Sequence, residues 1–243
     1  MRAIKRRPLD AAGTAFLTGC QKRADGKRQS GSFDANKTCK AARARVGMKG
    51  IHKVLTGMVG PRERCMYCMD SHGSDIEHFW PKTPYPDRMF VWENLLLCCT
   101  PCGRFKLNKF PMNGPLPLLI DPVSEDPWFY LDFDPATGNL TSRFTLATGA
   151  PSEKGSATVQ LLQLDGREAV AAGYRKTWIN IVRVAERYLS GGLSGSQLAT
   201  ELRHADDHGL LGWCTRGAGC AEPPFDRLWR DAPKVQTKLA AEI

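Results

Sequence analysis

Two Cys-x-x-Cys pairs, Cys65/Cys68 and Cys99/Cys102, constrain this chain more than any other feature. Each pair sets two thiols on one tight turn, and the segment between the pairs is long enough for a short ββ unit to fold back on itself. Four thiolates brought together in that way close a tetrahedral zinc site. Two disulfides, or four unrelated thiols, are the alternatives, and the spacing favours zinc.

A site with four cysteine ligands is coordinatively full and leaves no open position for chemistry. It therefore does not account for Glu77 and His78, which stand next to each other between the pairs. A carboxylate beside an imidazole suggests a second site. There the carboxylate could hold a hard divalent ion while the neutral imidazole takes a proton from water. Neighbouring residues of a strand point to opposite faces, so the two must lie at a strand end or bulge to serve one substrate. The plain alternative is a surface Glu and a packed His.

The ordered set Cys-x-x-Cys, Glu77-His78, Asn94, Cys-x-x-Cys and a Lys/Asn-containing tail resembles the HNH, or ββα-metal, nuclease superfamily with its zinc knuckle. The wording IEHFWPK, YPDRMFVWENLLLCC and KLNKFP is similar to one branch, the PtuB-type HNH endonucleases of Septu and retron-associated antiphage systems. The basic start MRAIKRRP is also similar. Similarity is strong over residues 65–111 and weaker at the N-terminus and in the later helices.

The resemblance implies a metal-dependent endonuclease with Glu77 as metal ligand, His78 as general base and Asn94 bracing the loop that carries the base. The third ligand position follows the last zinc cysteine, and Gly103 stands there without a donor; the nearest replacement is Asn108. The implied cofactors are structural Zn2+ on Cys65, Cys68, Cys99 and Cys102 and catalytic Mg2+ or Mn2+ on Glu77 and Asn108. The implied partners are nucleic acid (DNA ahead of RNA), a PtuA-like SMC/ABC-type ATPase, and a retron reverse transcriptase with its msDNA. A catalytically inactive zinc-knuckle subunit, binding nucleic acid or serving as an adaptor, is the rival, and Gly103 keeps it open.

Charge is placed unevenly. Residues 1–60 carry 14 Lys/Arg and 3 Asp, and the remainder 20 Lys/Arg against 22 Asp/Glu, within a net of +9. A basic front suggests an electrostatic footprint for phosphate. Arg6 and Arg7 there, with Arg104, Lys106 and Lys109 after the second cysteine pair, are the candidate nucleic-acid contacts. Nine cysteines behind no apolar leader favour zinc and free thiols in a reducing cytoplasm, and no apolar run is long enough to span a bilayer.

The expected fold is α+β, in three parts: a basic helical region over 1–60, the knuckle-bearing ββα core with a following β hairpin over 61–148, and a mainly helical region over 149–243. Asp10 is expected to cap a helix to about Cys20, followed by a basic loop over 21–34. A helix from Lys37 to about Met58 follows, which Gly47 and Gly50 could break. Asp165 is expected to cap a long helix ending at Leu189. His204, His208, Cys214 and Cys220 could hold a second metal, but the thiol gap is loose and surface histidines with spare thiols are the preferred reading.

Overall fold

The computed structural model describes residues 1–242 and is α+β. The chain forms two compact units, one of residues 5–67 and 71–111, the other of residues 1–4, 68–70 and 112–243.

The first unit begins with α1 (Ala11–Gln29), capped by Asp10, whose carboxylate accepts from the Gly13 backbone N–H. Such a cap contributes about 1 kcal/mol. α1 runs nine residues further than the composition of 21–34 suggests. Gln21, Lys22, Arg23 and Ala24 are good helix formers, Gln21 bonds Asp25 one turn on (3.0 Å), and Asp25 pairs with Arg28 (3.5 Å). Two helices follow, α2 (Ala35–Arg43) and α3 (Val46–Val59). The break falls at Ala44–Arg45 rather than at either glycine. Gly47 instead lets α3 approach α1, because a Cβ there would collide with the Phe16 ring. Gly60 ends α3 at φ 87°, in the left-handed region open to glycine.

β1 (Asp75–His78) then pairs antiparallel with β2 (Leu95–Cys98), in a register that sets Glu77 opposite Leu96 and His78 opposite Leu95. All four residues of β2 are buried. α4 (Thr100–Lys106) starts directly after it, with Pro101 in its first turn. The linker between the strands closes on an aromatic cluster. Trp80 lies 4.9 Å from Tyr85 and 4.6 Å from Phe110, and Phe79 lies 5.3 Å from Phe110, between ring centres.

The second unit holds three small antiparallel hairpins: β3 (Met112–Asn113) with β4 (Leu116–Pro117), β5 (Leu131–Phe133) with β6 (Leu140–Ser142), and β7 (Phe144–Thr145) with β8 (Ala150–Pro151). Six helices follow: α5 (Glu153–Leu162), α6 (Glu168–Leu189), α7 (Gly195–Ala205), α8 (Leu210–Arg216), α9 (Phe225–Asp231) and α10 (Pro233–Glu242). α6 buries Val170, Tyr174, Thr177, Ile181 and Val184, the stripe expected of an amphipathic helix. Its N-cap position is Arg167 and carries no side-chain cap, so Asp165 does not start it. Around that stripe Trp213 stacks edge-on to Phe133 (5.3 Å) and Trp178 (5.5 Å), and its indole N–H donates to Asp132 (2.5 Å).

No helix among the described residues is long and apolar enough to cross a membrane.

Candidate functional site: a cysteine cluster beside a Glu-His pair

Cys65, Cys68, Cys99 and Cys102 come together with all four sulfurs within 4.8 Å of one another, and all four residues are buried. The turn between the first pair is held by the Cys65 N–H donating to Ser71 O (2.9 Å), and Met66 N–H donates to Leu97 O on β2 (2.9 Å). Four soft thiolates in a closed, buried tetrad form a donor set that fits zinc. Cys98, the fifth cysteine of the segment, is not one of the four but adjoins them: its thiol donates to the Cys99 carbonyl (3.2 Å) and is in contact with the Cys65, Cys99 and Cys102 thiols.

His78 ends β1 and is 5% exposed. Burial pushes its pKa down to about 3, with the positive charges of Lys82, Lys106 and Arg43 acting in the same direction. A ring N–H donates to the Met89 carbonyl, and this bond opposes the shift. The ring is therefore neutral at pH 7, with its tautomer set by a backbone acceptor.

Asn94 is 3% exposed and ties together the segment that follows His78. Its Oδ1 accepts from Trp80 N–H (2.6 Å), and its Nδ2 donates to Trp80 O (3.1 Å) and Arg88 O (2.8 Å). Its own carbonyl accepts from Phe79 N–H (2.9 Å). Above the same segment the Arg88 guanidinium stacks over the Trp80 ring at 4.4 Å.

Glu77 points to the opposite face of β1 from His78, toward α4. Its Oε1 is 3.1 Å from the Lys106 ammonium, which also donates to the His78 carbonyl at 2.6 Å. Lys106 is completely buried. Burial lowers its pKa, and the charge of Glu77 works against that shift. This corrects the expectation that Lys106 meets nucleic acid at the surface: it lies on the inner face of α4, one turn after Gly103. A Cβ at Gly103 would lie 3.7 Å from Glu77 Oε2.

The other expected contacts divide. Arg104 and Lys109 are exposed, as is Asn108, on the turn beyond the end of α4. Arg6 is engaged within its own unit: its guanidinium donates to Leu95 O (2.7 Å) and Glu93 O (2.9 Å) and lies over Trp92 at 4.8 Å. Arg7 is exposed, and its carbonyl accepts from Trp92 Nε1 (3.0 Å). Glu77 has an ammonium as its partner, and Gly103 faces it without a donor. Glu77 and Gly103 by themselves offer a divalent ion a single carboxylate.

Two residues the sequence did not single out reach this place. Arg43, at the end of α2, donates to Ile76 O (2.7 Å) and lies 3.7 Å from Asp75. Lys82 acts electrostatically on His78 and on Lys106. Lys82 is four residues past His78 and could have been noticed by proximity; Arg43 carries no local signal.

His204, His208, Cys214 and Cys220 form no such tetrad among the described residues. The His208 ring is buried between Thr177 (2.7 Å) and Asp70 (3.3 Å), and Cys214 is fully buried.

No protein-family model matches the chain. Over 107 residues it is 28% identical to the Septu protein PtuB of Bacillus thuringiensis, an alignment covering 42% of this chain and 37% of that protein. The chain thus matches little more than a third of that relative's length. The likeness, distant as it is, points to a relation with the Septu system.

Proposed function

We propose that this chain is a nuclease subunit of a Septu-like antiphage system, hydrolysing nucleic-acid phosphodiesters, DNA ahead of RNA, at the strand end formed by Glu77 and His78. One observation carries the reading: a neutral imidazole, fixed in one tautomer by a carbonyl, ends a strand beside a four-thiol cluster and among three cations. His78 accepts the proton of the attacking water. Burial depresses its pKa first and the three cations add to that. An incoming phosphodiester anion offsets the cations' part, and opening of the site to water relieves the rest, both moving the ring toward the range where a general base works well. Asn94 holds the residues behind the base in place. Zinc on the four thiolates would clasp the two ends of this segment, a structural task. Access to the ring requires the segment around Trp80 and Arg88 to yield, because His78 is nearly sealed.

By the same reading the chain works with a PtuA-like ATPase in a reducing, cytoplasmic compartment. A retron reverse transcriptase and its msDNA are a further partner of this class. The rival is a subunit that binds nucleic acid, or serves as an adaptor, without cutting; the sealed ring and Gly103 favour it. Zinc-loaded protein, alone and with the ATPase encoded beside it, is incubated with plasmid and single-stranded DNA. Cleavage supports the nuclease, and binding without cleavage in every combination supports the rival.

A further inference from the structure

The ammonium of Lys106 occupies the place where a carboxylate-bound ion would sit. It is completely buried, 3.1 Å from Glu77 Oε1 and 2.6 Å from the His78 carbonyl, and so is held at the junction of the two residues. Gly103, three residues earlier in α4, presents the same face to Glu77. A divalent ion there would gain one carboxylate and no second protein donor from α4. It would have to displace a tethered cation that is already bonded. It would also lie among Lys82, Lys106 and Arg43, whose charges oppose it. Mg2+ tolerates few protein ligands, but it needs carboxylate or phosphate charge to compensate its own.

Cations left to meet an anion are found on the linker and on α2. Lys106 is matched by Glu77 (3.1 Å) and Arg43 lies 3.7 Å from Asp75, which leaves Lys82 without a carboxylate of this set. A zinc-bound tetrathiolate, formally −2, adjoins the same segment, so an anion would be held by Lys82 and Arg43 directly and not by a net positive field. Arg43 is aimed by its bond to Ile76 O, and its side chain keeps 47% exposure. Lys82 is half-buried at the start of the Pro-rich linker. Fixed guanidinium and ammonium groups around a strand end form a ready phosphate contact.

We propose that Lys106 stands in for the divalent ion at Glu77, and that the strand end, completed by Lys82 and Arg43, is a metal-free binding site for the phosphodiester group of a nucleic acid. This rests on the phosphodiester reading above and changes its cofactor: Zn2+ is the sole metal of the segment.

The test uses the zinc-loaded full chain in chelator-treated buffer. Mn2+ is titrated and followed by electron paramagnetic resonance, and binding of a fluorescein-labelled DNA duplex is followed by anisotropy at several salt concentrations. The wild type should bind no Mn2+ through Glu77, and Mg2+ should not strengthen its DNA binding beyond the weakening that counterion competition brings. Lys82→Gln should flatten the slope of log K against log salt by about 0.9. Gly103→Asn with Lys106→Met, which adds a donor and removes the ammonium, should gain one bound Mn2+; circular dichroism and zinc content report whether that variant folds. One Mn2+ per wild-type chain that is lost in Glu77→Gln overturns the proposal, as does a salt slope that Lys82→Gln leaves unchanged. Neither readout depends on turnover, so cleavage assays judge the nuclease reading separately.

Discussion

Glu77→Gln and Lys106→Met, made singly and together, probe the strongest electrostatic commitment in the unit that carries β1 and α4. Lys106 has no exposed surface, and the Glu77 side chain is 20% exposed. Removing one partner of such a pair strands the other charge and costs about 3–5 kcal/mol when both are buried. The partial exposure of Glu77 places the Lys106→Met cost nearer the low end, about 3 kcal/mol. Glu77→Gln leaves a sealed ammonium with only the His78 carbonyl and a neutral amide, and costs at least as much. The double substitution replaces charges with groups of similar size and should cost roughly 1 kcal/mol, so the coupling is about 5 kcal/mol. For a chain of this length 1 kcal/mol moves Tm by about 2–4 °C. Each single variant should therefore melt about 6–12 °C below the wild type, and the double variant within a few degrees of it. Circular dichroism melts in zinc-replete buffer at constant pH measure all four proteins. Costs that simply add in the double variant would refute the reasoning, since the ammonium would then not depend on the carboxylate.

His78 gives a pH signature. Its folded pKa, about 3, lies below the ordinary 6.5, so the unfolded chain binds the extra proton between those values. Stability is full above pH 6.5 and is lost as pH falls toward 3, by about 2 kcal/mol between pH 7 and pH 5; urea midpoints at those pH values should show that loss in the wild type and not in His78→Gln, both zinc-loaded. Asn94→Ala leaves one part-buried N–H and two part-buried carbonyls without their side-chain partner and should cost about 1–3 kcal/mol, with faster hydrogen exchange at Trp80; unchanged exchange there would count against its bracing role. Cys102→Ser should lower bound zinc from one ion per chain, measured by elemental analysis, and open residues 61–111 to protease, whereas Cys98→Ser should leave the zinc content intact. Equal loss in both variants would contradict the assignment of the tetrad.

The four-cysteine cluster was legible in the sequence because zinc coordination asks for two tight turns, and Cys-x-x-Cys is the local signature of each. The choice of Cys99 over Cys98 followed from that spacing, and Cys99 is the one that joins Cys65, Cys68 and Cys102, with Cys98 against them. The Asp10 cap was legible for the same reason, being decided by residues next to one another. What failed needed information about faces and distances. Lys106 read as one member of a basic surface cluster, since a seven-residue helix does not announce which side is sealed. Arg43 lies more than thirty residues before His78 and arrives only through the packing of α2. The length of α1 was underestimated because Lys, Arg, Gly and Ser together suggested a loop, although most of those residues sustain a helix.

The account depends most on His78, and the initial rate of plasmid cleavage tests it most directly, measured for wild type and His78→Ala, each zinc-loaded and each with and without the proposed PtuA-like ATPase. The account predicts cleavage by the wild type and a loss of about 100-fold or more in the variant, with zinc content retained and the variant, although lower-melting, still folded at the assay temperature. Equal cleavage by both proteins, or none by either, would contradict it.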